Sequence, residues 1–237
     1  QRTGFPLMSE HFDSYDASYG EVVEGSIRFS GLQHDFFLAA KADLLRRLVG
    51  ERCLRQGGAD VRGLDVGCGV GALHPYLDGA FDRLDGCDVS QKSLARARRD
   101  NPHIAYTACT TDRLPYQDGA FDLAFASCVV HHVPPASRPN FFHEMRRVLR
   151  QGGVACIIEH NPYNPLTRIA VFRCPFDEDA VLLGAGEAAR LLRDAGFRYI
   201  RSEHFLLLPS ARPFARKVER ALAALPLGAQ YTCVAYA

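Results

Sequence analysis

The sequence lacks a marked excess of charge of either sign. Lysine and arginine number 28 and aspartate and glutamate number 27, which gives a net charge of +1 with neutral histidines. Proteins that bind nucleic acids or anionic membranes through charge usually carry a basic excess or a basic stripe. We therefore expect a small, roughly neutral partner, and neither a nucleic acid nor a membrane.

Long apolar runs and a signal-peptide pattern are missing as well. The longest strongly apolar stretch, Leu123 to Val130, contains only Ser127 as a polar residue. It is far shorter than the ~20 residues that span a bilayer. The first residues show no charged segment followed by an apolar one, as a secretory signal would. These absences predict a soluble protein.

No two cysteines have the Cys-x-x-Cys spacing of a zinc or redox motif. The histidines also lack a spacing suited to zinc. Most cysteines fall inside predicted strands or at strand ends, as small buried hydrophobic residues do. We expect free thiols, a reducing cytoplasmic compartment and no metal. The eight cysteines are at positions 53, 68, 87, 109, 128, 156, 174 and 233.

Strand and helix patterns alternate along most of the chain. Apolar residues at helical spacing predict a first helix from Phe36 to Leu54. The regular alternation after it predicts an α/β fold, in which helices cover both faces of a parallel sheet. The predicted strands are 61–66, 83–89, 104–108, 121–127, 154–159, 199–208 and 230–237, and the predicted helices are 72–77, 92–99, 140–150, 186–196 and 213–225.

A long connection interrupts this alternation. Residues 160–184 contain Pro162, Pro165 and Pro175 but no clear helix or strand pattern. A structureless connection of that length usually serves function. Within it, the acidic run at 177–179 is expected to be solvated.

A glycine-rich turn follows the first predicted strand. Residues 63–77 read GLDVGCGVGALHPYL, in which Gly67, Gly69 and Ala72 fit the pattern G-x-G-x-x-G/A. Gly67 allows a turn with positive φ, and Gly69 leaves room for a ligand against the main chain. Open α/β sheets bind ligands at this carboxyl edge of the strands. The turn therefore predicts a nucleotide-like cofactor.

Two carboxylates accompany this turn. Asp65 stands two residues before Gly67, where it can order the turn and receive an ammonium group of a ligand. Asp88 ends the second strand, where it can accept both hydroxyls of a ribose. Asp88 suits NAD and S-adenosylmethionine equally, whereas Asp65 favours S-adenosylmethionine.

Two later segments complete a set of four motifs in fixed order. They read CTTDRLPYQDGAFDLAFASCVVHHV at 109–133 and FFHEMRRVLRQGGVACIIEHNP at 141–162. With the turn and Asp88, they resemble class I S-adenosylmethionine-dependent methyltransferases, in particular the ubiquinone-biosynthesis-like small-molecule group. The resemblance is good over residues 30–160.

The resemblance implies an architecture for the whole chain. It implies a single domain over residues 1–237, with a doubly wound, Rossmann-like sheet of seven strands. The strand order is 3-2-1-4-5-7-6 and the last strand is antiparallel. A helical amino-terminal lid and an insert after strand 5 complete the fold, and residues 1–40 and 160–185 form the substrate cap.

The resemblance also implies which residues hold S-adenosylmethionine. Relatives commonly carry an aspartate where this chain has Thr110, so Asp112 is a second candidate for the adenine contact. The implied contacts are Asp65, Gly67, Cys68 and Gly69 with the methionine half, Asp88 with the ribose, Val89, Thr110 and Thr111 with the adenine, Ser127 and Cys128 beneath the sulfonium, and Tyr19, with Tyr15, in the lid.

Three histidines are candidates for a catalytic base. His131 and His132 follow the fourth strand, at the edge where the methyl group is expected, and an imidazole is suited to proton removal near pH 7. His132 is slightly preferred, and a packing role for either stays open. His160 follows the fifth strand and is a third candidate.

We expect methyl transfer from S-adenosylmethionine to a small molecule of biosynthetic metabolism, most plausibly at oxygen. Transfer to carbon or nitrogen, or another reaction of the same cofactor, stays open because one fold hosts several chemistries. An NAD(P)-dependent reductase is disfavoured because the chain has no Tyr-x-x-x-Lys. The intact turn and carboxylates disfavour a catalytically silent binding module.

Overall fold

The computed structural model describes residues 19–55, 60–208 and 213–237, and its strands form one mixed sheet. The strand order β3-β2-β1-β4-β5-β7-β6 and the α/β class agree with the predictions. β7 runs antiparallel to both of its neighbours. The strands are β1 (Arg62–Val66), β2 (Arg83–Asp88), β3 (Ala105–Ala108), β4 (Phe121–Ser127), β5 (Leu149–His160), β6 (Arg198–Phe205) and β7 (Gln230–Tyr236).

Helices connect these strands and pack against the sheet. Short 3-10 helices at His74–Leu77, Val130–His132 and Pro175–Asp177 lie at the ends of connections. The α-helices are α1 (Tyr19–Ile27), α2 (His34–Arg55), α3 (Gln91–Asp100), α4 (Arg138–Val148), α5 (Pro165–Arg173), α6 (Ala185–Asp194) and α7 (Pro213–Leu222).

Strand β4 is central and is buried on both faces, as its apolar sequence predicts. Ala124 and Ala126 join the apolar cluster that includes Met145 of α4. Leu123 and Phe125 join the opposite cluster, which contains residues of α2. Successive side chains of a strand point to opposite faces of the sheet. Each of the two apolar clusters therefore contains alternate residues of β4. Helices thus cover both faces, and the carboxyl edge of the parallel strands is left for a ligand.

The predicted helix at 72–77 is wrong. The chain forms only the short 3-10 helix His74–Leu77. Pro75 has no N–H to donate, and Gly79 adopts a φ of +68° soon afterwards. A second helical turn therefore does not form.

The predicted end of the helix at 140–150 is also wrong. Helix α4 ends at Val148, and Leu149 begins β5 by pairing with Phe121. Gly152 adopts a φ of +69° inside the strand and donates its N–H to Ala237. Pairing with β4 at Leu149, followed by the bonds of Gly152 and Gly153 to Ala237, overrides the helical pattern at 149–150.

The connection 160–184 is not structureless, contrary to the prediction. It contains α5 and the 3-10 helix Pro175–Asp177. The side chain of Asn164 accepts the N–H of Thr167, and Pro165 occupies the first turn. An Asn followed by Pro is a helix start signal in the sequence itself.

Two further sequence expectations concern the described part of the chain. No helix there has both the length and the apolar composition that crossing a membrane requires. All cysteines in this part are free thiols. The side chain of Cys53 lies outside the described residues.

Candidate functional site

A cavity of about 450 Å³ lies at the carboxyl edge of the parallel strands. It brings together the predicted site residues from the ends of β1, β2, β3, β4 and β5. Tyr15 and the side chain of Tyr19 lie outside the described residues. The predicted residues that line the cavity are Asp65, Gly67, Cys68, Gly69, Asp88, Val89, Thr110, Thr111, Ser127, Cys128, His131, His132 and His160.

The glycine turn adopts the backbone conformation that the sequence predicts. Gly67 has a φ of +79°, and a Cβ there would lie 2.6 Å from a methyl carbon of Val129. Gly69 has a φ of +53° and open space around the position of a Cβ. The carbonyl of Cys87 accepts the N–H of Gly67 at 2.8 Å. The turn is therefore tied to β2, and Gly69 leaves the main chain accessible beside the cavity.

Asp88 holds this turn through its carboxylate. One oxygen accepts the N–H of Gly69 and the other accepts the N–H of Ser90, both at 2.8 Å. Burial raises the pKa of Asp88, and these N–H groups oppose the rise. A carboxylate has about four lone-pair sites. Asp88 can therefore accept further hydrogen bonds from a ligand.

Asp65 presents one carboxylate oxygen that has no partner within the described residues. Its Oδ2 lies 3.0 Å from Nε2 of His74, and Nδ1 of His74 lies 2.5 Å from the hydroxyl of Tyr106. Its Oδ1 is buried and unpaired in that part of the chain. An unpaired buried acceptor is costly, so this oxygen suits a cationic or hydrogen-bond-donating group of a ligand.

The two candidates for the adenine contact differ. Thr110 lines the cavity, but its hydroxyl accepts the N–H of Arg113 at 3.1 Å and closes a local turn. Asp112 is exposed and is not among the residues that line the cavity. The structure therefore favours Thr110 over Asp112, and the adenine contact stays a prediction.

His131 lies between two carboxylates. Its Nδ1 is 2.5 Å from Oε2 of Glu159, and its Nε2 is 3.3 Å from Oδ1 of Asp177. Burial alone would lower the pKa of His131, but the two carboxylates raise it to about 10. Glu159 also accepts the N–H groups of Val129 and Val130. His131 is therefore protonated at neutral pH in the ligand-free chain and is fixed in orientation.

His132 differs from its neighbour in charge. Burial and the positive charge of His131 lower the pKa of His132 to about 3, which leaves a neutral imidazole at neutral pH. Its Nε2 lies 3.3 Å from Oδ1 of Asp177. The rings of His131 and His160 are also adjacent, with centroids 5.2 Å apart.

Asp177 is a site residue that the sequence analysis misses. The acidic run 177–179 is expected to be solvated, and Glu178 and Asp179 are indeed exposed. The side chain of Asp177 is only 9% exposed and lines the cavity. The 3-10 helix Pro175–Asp177 turns it inward, and sequence spacing gives no signal for this orientation.

Cys128 is the centre of a polar cluster. Its φ is +57°, and its thiol lies 3.2 Å from Nζ of Lys41, which is buried on α2. Burial alone would raise the pKa of Cys128, but Lys41 and His160 lower it to about 6. Lys41 is 87 residues away in sequence, so local patterns cannot reveal this contact.

The chain is similar to known methyltransferases. A family model described as a methyltransferase domain matches residues 64–157. An uncharacterized methyltransferase of Synechocystis is 33% identical over 142 residues, which are 58% of this chain and 67% of that relative. The 27-O-demethylrifamycin SV methyltransferase of Amycolatopsis mediterranei is 35% identical over 125 residues, 48% of this chain and 43% of that enzyme. The chain thus spans about two thirds of the first relative and less than half of the second.

A solved structure supports the fold over nearly the whole chain. A crystal structure of an S-adenosylmethionine-dependent methyltransferase from Thermotoga maritima covers 97% of this chain and 99% of its own, with a TM-score of 0.67 and 19% identity. At that identity the likeness concerns the fold alone. The Synechocystis relative and the family model give the family assignment. The chain belongs to the class I S-adenosylmethionine-dependent methyltransferases, and S-adenosylmethionine is its cofactor.

Proposed function

We propose that this chain transfers the methyl group of S-adenosylmethionine to an oxygen atom of a small molecule bound in the cavity. The observation that carries this proposal is the common cavity of the glycine turn and the three histidines. A polar histidine and aspartate group in a largely apolar cavity suits an acceptor with an apolar body and one hydroxyl. The name of the Amycolatopsis relative also describes a methyltransferase that acts on an O-demethyl compound.

The residues present fit S-adenosylmethionine. The unpaired Oδ1 of Asp65 is suited to the ammonium group of its methionine half, and Gly69 leaves open space beside the turn. Asp88 has lone pairs left for the ribose hydroxyls. The remaining proposed contacts are Gly67 and Cys68 at the turn, Val89, Thr110 and Thr111 at the adenine, and Ser127 and Cys128 near the sulfonium.

The chain's own contribution is position and exclusion of water. S-adenosylmethionine supplies a methyl group that its sulfonium has already activated, so the protein has to align an acceptor and keep water away. Residues of α1 and α5, such as Val23 and Val171, line the cavity on the side away from the sheet. We propose these helices as the described part of the substrate cap.

We propose His132 as the residue that accepts the proton of the acceptor hydroxyl. His131 already holds a proton between Glu159 and Asp177, so it cannot take another. His160 shares a hydrogen bond with Cys128. His132 is neutral, but its lowered pKa makes it a weak base. Asp177 lies 3.3 Å from its Nε2, where a carboxylate stabilises the imidazolium that forms and offsets part of this weakness.

His132→Ala is expected to slow methyl transfer by about a hundredfold. The affinity for S-adenosylhomocysteine should change less than about twofold, because His132 is not among the proposed cofactor contacts. The acceptors are a set of phenols, aliphatic alcohols, amines and carbon acids, tested with methyl-labelled S-adenosylmethionine. Product formation is followed by mass spectrometry, and cofactor affinity by calorimetric titration. Nuclear magnetic resonance identifies the atom that carries the new methyl group.

His143→Ala is the matched control, because His143 is exposed on α4 and does not line the cavity. It should retain full turnover. Equal turnover of His132→Ala and the control would leave His132 as a packing residue. A label found only on nitrogen or carbon would contradict transfer to oxygen.

A further inference from the structure

Three metal-ligating side chains from separate segments meet in the cavity. His131 follows β4, His160 ends β5 and Asp177 belongs to the 3-10 helix after α5. Each offers one ligand atom, and these atoms lie within 4.8 Å of one another. All three residues line the cavity, so a group bound by them would be open to a small molecule.

The cluster contains two buried carboxylates. Glu159 is fully buried and the side chain of Asp177 is 9% exposed. Within the described part of the chain, the ion pairs of both carboxylates are with histidines and with no lysine or arginine. In the metal-free chain the proton on His131 offsets part of this negative charge. A divalent cation would take the place of that proton, because a histidine that binds a metal has to be neutral.

One separation among the ligand atoms matches that expected at a metal ion. Nε2 of His131 is 3.3 Å from Oδ1 of Asp177, which is longer than the ~2.7–2.9 Å of a charge-assisted hydrogen bond. Two ligand atoms bound tetrahedrally at ~2.0–2.1 Å from a zinc ion are about 3.3–3.4 Å apart. The His131–Asp177 separation therefore matches one edge of such a site, and all three ligand atoms lie within 4.8 Å of one another.

The outer nitrogen of His131 also has a partner. Nδ1 of His131 lies 2.5 Å from Oε2 of Glu159, and interaction with the thiol of Cys128 raises the pKa of His160. Histidines that bind metals usually donate their second N–H to a carboxylate or another acceptor, which fixes the tautomer and the ring orientation. His131 has this arrangement, because Glu159 lies against its Nδ1 and leaves Nε2 for the metal.

We propose that His131, His160 and Asp177 form a binding site for a divalent transition-metal ion with one coordination position open to the cavity. Two imidazoles and one carboxylate suit Zn²⁺ and its neighbours, whereas Mg²⁺ prefers oxygen ligands. The sequence analysis predicts no metal because it relies on ligand spacing along the chain, and these ligands come from three separate segments. The inference does not depend on which atom accepts the methyl group. It applies to a chain in which a metal has displaced the proton of His131, whereas the assignment of His132 as the base applies to the metal-free chain.

The test is calorimetric titration of the chelator-treated full chain with Zn²⁺ and, separately, with Mg²⁺. We expect one strongly bound Zn²⁺ per chain and no comparable binding of Mg²⁺. Asp177→Asn keeps the side-chain volume and should weaken Zn²⁺ binding by tenfold or more. Asp179→Asn, an exposed aspartate two residues away, is the matched control and should bind Zn²⁺ like the wild type.

Folding and adventitious binding are controlled separately. His160→Gln is a second variant and should also lose tenfold or more in Zn²⁺ affinity, while titration with S-adenosylhomocysteine checks that each variant retains its fold. No binding at one Zn²⁺ per chain, or equal affinity in Asp177→Asn and Asp179→Asn, would overturn the inference. Methyl transfer without Zn²⁺ binding would overturn this inference and leave the proposed function intact. Zn²⁺ binding without methyl transfer would support this inference and contradict the proposed function.

Discussion

Asp88→Ala is expected to weaken the binding of S-adenosylhomocysteine by tenfold or more. The substitution removes the carboxylate proposed to accept both ribose hydroxyls, and hydrogen bonds to a charged group are worth about 1.5–3 kcal/mol each. It also removes the acceptors of the Gly69 and Ser90 N–H groups, so the glycine turn keeps only its backbone hydrogen bonds to Cys87 of β2. Calorimetric titration with S-adenosylhomocysteine measures the change.

Asp85→Ala provides the matched control for this experiment. Asp85 is a buried aspartate on the same strand, paired with Arg83 at 3.0 Å and with Arg62 at 3.5 Å, and it does not line the cavity. Its loss should lower the melting temperature but leave the affinity for S-adenosylhomocysteine unchanged. Equal affinities of wild type and Asp88→Ala would remove Asp88 from the cofactor site.

Gly67→Ala is expected to destabilise the fold by about 3 kcal/mol. A Cβ in this left-handed backbone conformation costs about 1–2 kcal/mol. The same Cβ would lie 2.6 Å from a methyl carbon of Val129, and such overpacking costs about 1–3 kcal/mol. For a chain of this size the melting temperature should fall by roughly 6–12 °C. Thermal unfolding followed by circular dichroism measures this fall.

Gly69→Ala distinguishes backbone strain at a positive φ from steric contact with Val129. Its φ is also positive, but the Cβ would meet open space, so only the backbone cost of about 1–2 kcal/mol remains. It should unfold at a higher temperature than Gly67→Ala and yet bind S-adenosylhomocysteine more weakly than wild type, because the added methyl group takes space beside the cavity. Equal melting temperatures of the two variants would contradict the role of Val129.

The strands, and the position of the proposed cofactor residues at their ends, can be predicted from the sequence because both depend on local patterns, whereas the strand order is implied by the resemblance to methyltransferases. Buried strands such as β4 read as apolar runs, and their ends carry the residues that reach the carboxyl edge. Asp65, Gly67 and Asp88 lie at or just after such ends, so their convergence follows from the strand order. The conformation of Gly67 follows from its place between strand and turn.

The other half of the site depends on contacts that no local pattern encodes. Lys41 reaches Cys128 from a helix that precedes the whole sheet, and Asp177 reaches the histidines from a connection that the sequence predicts to be structureless. His74 joins Asp65 to Tyr106 although it lies where the sequence predicts an ordinary helix. Tertiary packing decides each of these contacts.

The attachment of the glycine turn to β2 has a thermodynamic consequence. The carbonyl of Cys87 and the carboxylate of Asp88 already hold the N–H groups of Gly67 and Gly69. Folding has therefore already restricted the turn's conformational entropy before any ligand arrives. A preorganised surface loses little freedom on association, so more of the contact energy can appear as affinity.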